Sequence, residues 1–204
     1  PLHTAADKGH VAVVQLLLAA GADKDPKGYQ HVTPLHYAAQ SGHEAVVRAL
    51  LAARADLEAR DLTLYTPLHH AVFPVGQAKV VRALLAAGAD MGAREQTQLT
   101  PLQLAASKGQ EAVVRVLLAA EGVANSGANL KKALAVAQKS NHYNVAAMLK
   151  KAVNQEAALT KCRVCKAETT LRCQRCKKAA FCSKVCQKAG WEAHKKTCRG
   201  DVRK

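Results

Sequence analysis

A short motif returns along the chain at a nearly constant interval, and this periodicity restricts the possible folds more than any other feature. It reads Pro-Leu-His-Thr-Ala-Ala from Pro1, Thr-Pro-Leu-His-Tyr-Ala-Ala from Thr33, Thr-Pro-Leu-His-His-Ala-Val from Thr66 and Thr-Pro-Leu-Gln-Leu-Ala-Ala from Thr100. Thr33 and Thr66 are 33 residues apart, and Thr66 and Thr100 are 34 apart. A unit this short cannot bury a hydrophobic face alone, so the copies must stack and share their core with neighbours. The extra residue falls in 73–79, where Pro74 and Gly76 predict a lengthened turn. A weaker fifth copy is expected from about Lys132 to Lys150, with Ser140-Asn141-His142 matching Ser41-Gly42-His43 of the second.

Each copy reads as a pair of helices. Thr33 suits an N-cap, and Pro34 suits the first helical position, where its missing N–H costs nothing. Leu35, Ala38 and Ala39 give a short apolar face. Gly42 then breaks the chain, and Val46, Val47, Leu50 and Leu51 follow at helical spacing. Gly21 and Gly88 fall just past the second helix of their copies, where a left-handed cap is expected.

The period and the Thr-Pro-Leu-His-x-Ala signature resemble the ankyrin repeat. The resemblance implies a mainly α fold, an ankyrin α-solenoid over 1–152. Its copies run over about 1–32, 33–65, 66–99 and 100–131, with a degenerate cap at 132–152. Some positions depart from the family pattern. His31, Leu64 and Gln98 stand where the family places a hairpin glycine, Arg54 replaces a cap glycine, and Gln103 and Ala135 replace the signature histidine.

His3, His36 and His69 recur at one repeat position, so each is expected to hydrogen-bond the loop of the next copy. A shared metal or catalytic role is disfavoured, because histidines one period apart lie on different copies. By the same resemblance, the position after the signature histidine points to the concave face: Tyr37, His70 and Leu104. Gln40 and Phe73 adjoin it, and Tyr29, Tyr65 and Leu99 sit near the hairpins. These residues either form a protein-binding strip or cover neighbouring copies.

The chemistry changes near residue 160. All seven cysteines lie beyond it, in the order Cys162-x2-Cys165-x7-Cys173-x2-Cys176-x5-Cys182-x3-Cys186-x7-His194-x3-Cys198. Eight sulfur and imidazole donors divide into two tetrahedral sets, as structural zinc requires, and leave no open position for a catalytic water. Some 45 residues hold too little apolar material for a large core, so metal binding is expected to supply much of the folding free energy. Disulfides are disfavoured by the odd count and by an otherwise intracellular character. Residues 153–161 form a linker or a helical extension without Gly or Pro, and 199–204 a basic tail.

The donor order, together with Phe181, Gln187 and Trp191, resembles a MYND-type zinc finger over 162–198. That resemblance implies a cross-brace, with Cys162, Cys165, Cys182 and Cys186 on one ion and Cys173, Cys176, His194 and Cys198 on the other. Spacing alone also permits a sequential pairing. MYND fingers take short proline-containing peptides, and Gln187 and Trp191 fall where the family's groove is lined. A tryptophan face packs well on proline, although Trp191 also suits a small core with Phe181, Val164 and Leu171.

The chain carries a formal charge of +15, and residues 161–204 hold 14 Lys and Arg against 3 Asp and Glu. Seven thiolates and two zinc ions lower that segment's +11 to about +8. This basic face is expected to be simply solvated or to steer acidic protein partners, with nucleic acid possible but not favoured, since no base-reading helix or Arg-aromatic interleaving accompanies it. No run of residues is apolar enough to span a membrane. Pro1 in place of an initiator Met predicts a piece of a longer protein.

The expected function is therefore a non-enzymatic protein-interaction adaptor in a reducing compartment, cytoplasm or nucleus. Alternatives are a nuclear transcriptional or chromatin regulator whose finger contacts DNA, and the recognition part of a larger enzyme such as a protein methyltransferase.

Overall fold

The computed structural model describes residues 1–73, 77–120, 127–160, 171–172 and 180–181. The chain separates into two units, Pro1–Leu149 and Lys150–Lys204.

The first unit is a stack of helix pairs. They are α1 (Leu2–Asp7) with α2 (Val11–Ala19), α3 (Pro34–Ser41) with α4 (Glu44–Ala52), and α5 (Pro67–Val72) with α6 (Ala78–Ala86). Next come α7 (Pro101–Ser107) with α8 (Glu111–Ala119), and α9 (Gly127–Lys139) with α10 (Tyr143–Thr160). First helices pack on first helices (α1 on α3, α3 on α5, α5 on α7, α7 on α9), and second helices form the parallel row α2, α4, α6, α8. The core lies between the rows. Leu35, Leu68 and Leu102 supply it from one side, and Val47, Leu50, Val81, Leu84, Val114 and Leu117 from the other, all 2% exposed or less.

Thr-Pro starts the first helices as expected. Thr33, Thr66 and Thr100 are extended caps with a proline in the first turn, and each takes part in a capping box with the residue three positions on. That residue is Gln103 in the fourth copy, as is common for this box, and His36 or His69 in the second and third, where the imidazole takes the place of Glu or Gln.

Between helix pairs the chain makes a hairpin closed by one backbone bond: Gly28 N to Val32 O at 2.9 Å, Asp61 N to Tyr65 O at 3.1 Å, Glu95 N to Leu99 O at 3.2 Å. His31, Leu64 and Gln98 occupy the left-handed region there, with φ of 62°, 62° and 65°. The missing family glycines have thus changed the residue and kept the geometry. Arg54 likewise keeps φ at 59° in place of a cap glycine.

Successive copies are joined by repeated side-chain bonds. His36 Nε2 donates to Tyr65 O at 3.1 Å and His69 Nε2 to Leu99 O at 3.4 Å, reaching forward. His43 Nε2 donates to Asp7 O at 2.9 Å, Gln110 Nε2 to Val72 O at 2.6 Å and His142 Nε2 to Ser107 O at 3.0 Å, reaching back. Two of the backward donors need glycine opposite them. A Cβ on Gly9 would meet His43 Nδ1 at 2.6 Å, and one on Gly109 would meet His142 Nδ1 at 2.5 Å.

The fifth copy departs from expectation. Its first helix begins at Gly127 rather than near Lys132. With no Thr-Pro to set a start, the first turn of α9 runs back and presents Asn129. That side chain accepts from Gln103 Nε2 at 2.6 Å and from the Thr100 hydroxyl at 3.2 Å. It replaces the hairpin carbonyl that the earlier copies offer.

Beyond residue 160 the second unit is described at two short strands, β1 (Leu171–Arg172) and β2 (Ala180–Phe181). They pair antiparallel, with Leu171 opposite Phe181 and Arg172 opposite Ala180. Helix α10 runs to Thr160.

Candidate functional site

A cleft of about 410 Å³ opens on the hairpin side of the first three copies. Its walls carry four aromatic rings: Tyr29, Tyr37, Tyr65 and Phe73. Tyr29 lies at a hairpin tip and is 81% exposed, Phe73 is 40% exposed, and Tyr37 and Tyr65 are half-buried. Phe73 stands at the end of α5 with extended backbone, φ −111° and ψ 139°, so it leaves the helical path that Gln40 follows in α3. The Lys108 ammonium lies 5.0 Å from the centroid of the Phe73 ring, a cation–π distance.

The polar side of the cleft is built on Asp61. Its Oδ1 accepts from Thr63 N at 2.8 Å, the Thr63 hydroxyl at 2.7 Å and Tyr65 N at 2.9 Å, while Oδ2 accepts from His70 Nε2 at 2.9 Å. Burial alone would raise this carboxyl; the bonds from His70, Thr63 and Tyr65 outweigh it and hold the group below the usual carboxylate range. His70 stands edge-on to the His36 ring at 4.8 Å and to Tyr65 at 5.8 Å, and its Nδ1 lies 3.4 Å from Gln40 Oε1. Burial also raises the Tyr65 phenol, assisted by Glu95 and Asp61, so its hydroxyl stays a hydrogen-bond donor.

Glu95 repeats the Asp61 arrangement one copy later. It accepts from Thr97 N at 2.7 Å, from the Thr97 hydroxyl and from Leu99 N at 2.9 Å. Burial would raise it as well, and the bonds from Thr97 and Leu99 bring it down. Both carboxylates brace a turn that holds a non-glycine residue at positive φ, Leu64 or Gln98. Sequence reasoning missed this pair. The signal was present as an acid, any residue and a threonine at one repeat position, Asp61-Leu62-Thr63 and Glu95-Gln96-Thr97.

Tyr37, His70 and Phe73 therefore come together, with Gln40, Tyr29 and Tyr65 beside them. Leu104, expected in the same strip, is a correction. It is 5% exposed, because α7 is packed between α5 and the extended α9. His36 and His69 are 0% exposed and bonded on both ring nitrogens. Nδ1 accepts from the backbone N–H of Thr33 or Thr66, at 3.1 Å and 3.3 Å, so the proton sits on Nε2. His3 Nε2 bonds the hairpin carbonyls of Pro26 and Val32 at 2.9 Å and 3.1 Å. Among the described residues no three His, Cys, Asp or Glu side chains are placed to hold a metal ion, and no helix is long and apolar enough to cross a membrane.

The expected zinc ligands Cys162, Cys165, Cys173, Cys176, Cys182, Cys186, His194 and Cys198 lie outside the described residues, as do Gln187 and Trp191. The strand pair directly precedes two of these donors in sequence, Cys173 after Arg172 and Cys182 after Phe181. Thiolate sulfur and imidazole nitrogen are the donors that zinc takes in structural sites, so the donor set fits that metal.

Comparison with known proteins agrees with both units. A family model described as ankyrin repeats in three copies matches residues 1–61 and 68–159. One described as the MYND finger, a zinc-binding module, matches residues 162–198. Over 41 residues the chain is 42% identical to Tudor domain-containing protein 1 of Danio rerio. That match covers 20% of this chain and 4% of that protein, so the chain spans a small fraction of its relative. Both matched modules are protein-interaction modules without catalytic machinery. The chain belongs to the ankyrin-repeat family and carries a MYND finger after its repeats.

Proposed function

We propose that this chain is a non-enzymatic adaptor that holds one protein partner in the aromatic cleft of its repeats and a proline-containing peptide on its finger. The observation that carries the reading is the cleft itself. Large rings left exposed around a polar floor are costly in water unless something covers them, and aromatic side chains are the residues that dominate protein contacts. The finger binds two zinc ions through seven thiolates and one imidazole, paired as a cross-brace. Gln187 and Trp191 line its peptide groove. The seven thiols suit a reducing compartment, cytoplasm or nucleus. Two binding modules on one chain raise each other's effective concentration when both ligands belong to the same partner.

The test is affinity capture with mass spectrometry on four proteins: wild type, Trp191→Ala, Tyr37→Ala and Phe73→Ala. Each module's variant is expected to lose its own set of partners, with zinc content and helical signal retained. Partner sets identical in all four would overturn the reading. Metal analysis checks the finger separately. About two zinc per chain is expected from eight donors, and one or none breaks that assignment.

A further inference from the structure

We propose that the cleft between the first two hairpins is a guanidinium site that takes an arginine side chain from an extended segment of the partner protein. The inference rests on the reading of the repeats as a protein-docking surface and names the chemistry of what docks. Three observations carry it.

The first is charge. The chain is strongly basic at +15, yet the residues lining this cleft include the Asp61 carboxylate and neither Lys nor Arg. Asp61 is 8% exposed. Three of its four hydrogen bonds fall on Oδ1, and Oδ2 receives His70 alone. A carboxylate oxygen has two in-plane acceptor directions, so Oδ2 keeps one for an incoming N–H.

The second is the walls. Tyr29, Tyr37 and Tyr65 bring rings to the cleft on which a flat cation can stack, and the Phe73 ring, against which Lys108 already lies at 5.0 Å, shows that this wall accepts a cation. A cation held between rings and beside a buried carboxylate gains from both interactions where water is scarce.

The third is the second acceptor. His70 donates Nε2–H to Asp61, so in that tautomer its Nδ1 accepts. The Gln40 amide, 3.4 Å away, is best satisfied with its NH2 turned to Nδ1 and its oxygen turned to the cleft. An amide can be flipped this way without moving any other atom. Asp61 Oδ2 and Gln40 Oε1 then flank the same space. A guanidinium donates along several directions in one plane and stacks its face on an aromatic ring; an ammonium is compact and does neither. A space of about 410 Å³ is also larger than an ammonium fills.

The experiment uses the zinc-loaded 204-residue chain and three blocked pentapeptides, acetyl-Gly-Gly-X-Gly-Gly-amide, with X as arginine, lysine or citrulline. Citrulline keeps the shape and removes the charge. Binding is read by titration calorimetry and by NMR shifts of the tyrosine and phenylalanine ring signals. The arginine peptide is expected to bind about tenfold tighter than the citrulline peptide, the worth of one cation–π and charge-assisted contact, and to move ring signals of Tyr37, Tyr65 and Phe73. Asp61→Asn should reduce arginine binding to the citrulline level. Because Asp61 also braces its hairpin, Gln40→Ala and Tyr37→Leu serve as second variants, and each should weaken arginine binding several-fold with the helical signal unchanged. Leu16→Ala, an exposed position on α2 outside the cleft, should leave it unaltered. Equal binding of arginine and citrulline overturns the proposal, as does a lysine preference or an arginine response unaltered by Gln40→Ala and Tyr37→Leu. If Tyr37→Ala and Phe73→Ala abolish partner capture while the arginine peptide does not bind, the docking surface stands and the guanidinium falls. If partner capture survives both substitutions, the docking reading itself falls.

Discussion

Acid destabilises the repeat stack through two buried imidazoles, and the chain carries its own control for the effect. His36 and His69 are 0% exposed, and burial, the largest influence on each, pushes both down to about 4. In the unfolded chain they titrate near 6.5. Between those values the unfolded chain binds protons that the folded chain refuses. Stability is therefore full above about 6.5 and falls as the pH drops from there to about 4. At pH 5 the loss is roughly 2 kcal/mol per imidazole, on the order of 4 kcal/mol for the two, against the 5–15 kcal/mol of a typical domain. The geometry gives the same sign. A protonated Nδ1 would point a hydrogen at the N–H of Thr33 or Thr66 that it now accepts. Gln103 shows how a group that does not titrate fills the position. Its Oε1 accepts from Thr100 N at 3.3 Å and its Nε2 donates to Asn129 at 2.6 Å. The His36→Gln/His69→Gln protein should therefore keep the fold and lose the acid sensitivity. Urea unfolding followed by far-ultraviolet circular dichroism at pH 7.5, 6.5 and 5.0 measures it. Protonation of the finger's thiolates is common to both proteins and cancels in the difference. Wild type is expected to lose on the order of 4 kcal/mol more than the variant between pH 7.5 and 5. Equal losses in the two proteins would refute the argument.

Two further substitutions test the backbone. Gly42→Ala meets both a φ of 78° and the Gln77 amide, whereas Gly88→Ala meets only a φ of 96° in open space. Gly88→Ala should cost about 1 kcal/mol, and Gly42→Ala clearly more in the same urea assay; equal costs would remove the packing argument. Leu64→Gly relieves a side chain held at φ 62° and 40% exposed. It should stabilise the protein or leave it unchanged to within about 0.5 kcal/mol, and a loss above about 1 kcal/mol would mean that Leu64 packs in a way the geometry does not indicate.

The fold was legible because a 33-residue period forces stacking whatever fills the individual positions. The Thr-Pro starts and the glycine breaks followed from local chemistry, and the forward bonds of the histidines followed from their recurrence. Leu104 was misread because its burial depends on α9 packing against α7, where Asn129 meets Gln103 across the copies, a non-local event. The braces at Asp61 and Glu95 were overlooked for a different reason. The hairpins were compared with a pattern that has glycine there, and the compensation for its loss lies three residues upstream of Leu64 and Gln98. The eight expected zinc ligands lie outside the described residues, and what their spacing made legible is the finger that the family match over 162–198 shows.

The bonds between copies carry a direction, and it has a consequence for how such a chain can be edited. His36 and His69 reach toward the next copy, while His43, Gln110 and His142 reach toward the previous one. The second and fourth copies thus each present one kind of socket on the leading side and another on the trailing side. A whole copy cut out or duplicated in register rejoins matching sockets and strands no polar atom. A cut of any other length breaks the register and leaves a buried imidazole facing nothing. The array can change length only in whole units, as a word processor moves paragraphs and not half-sentences.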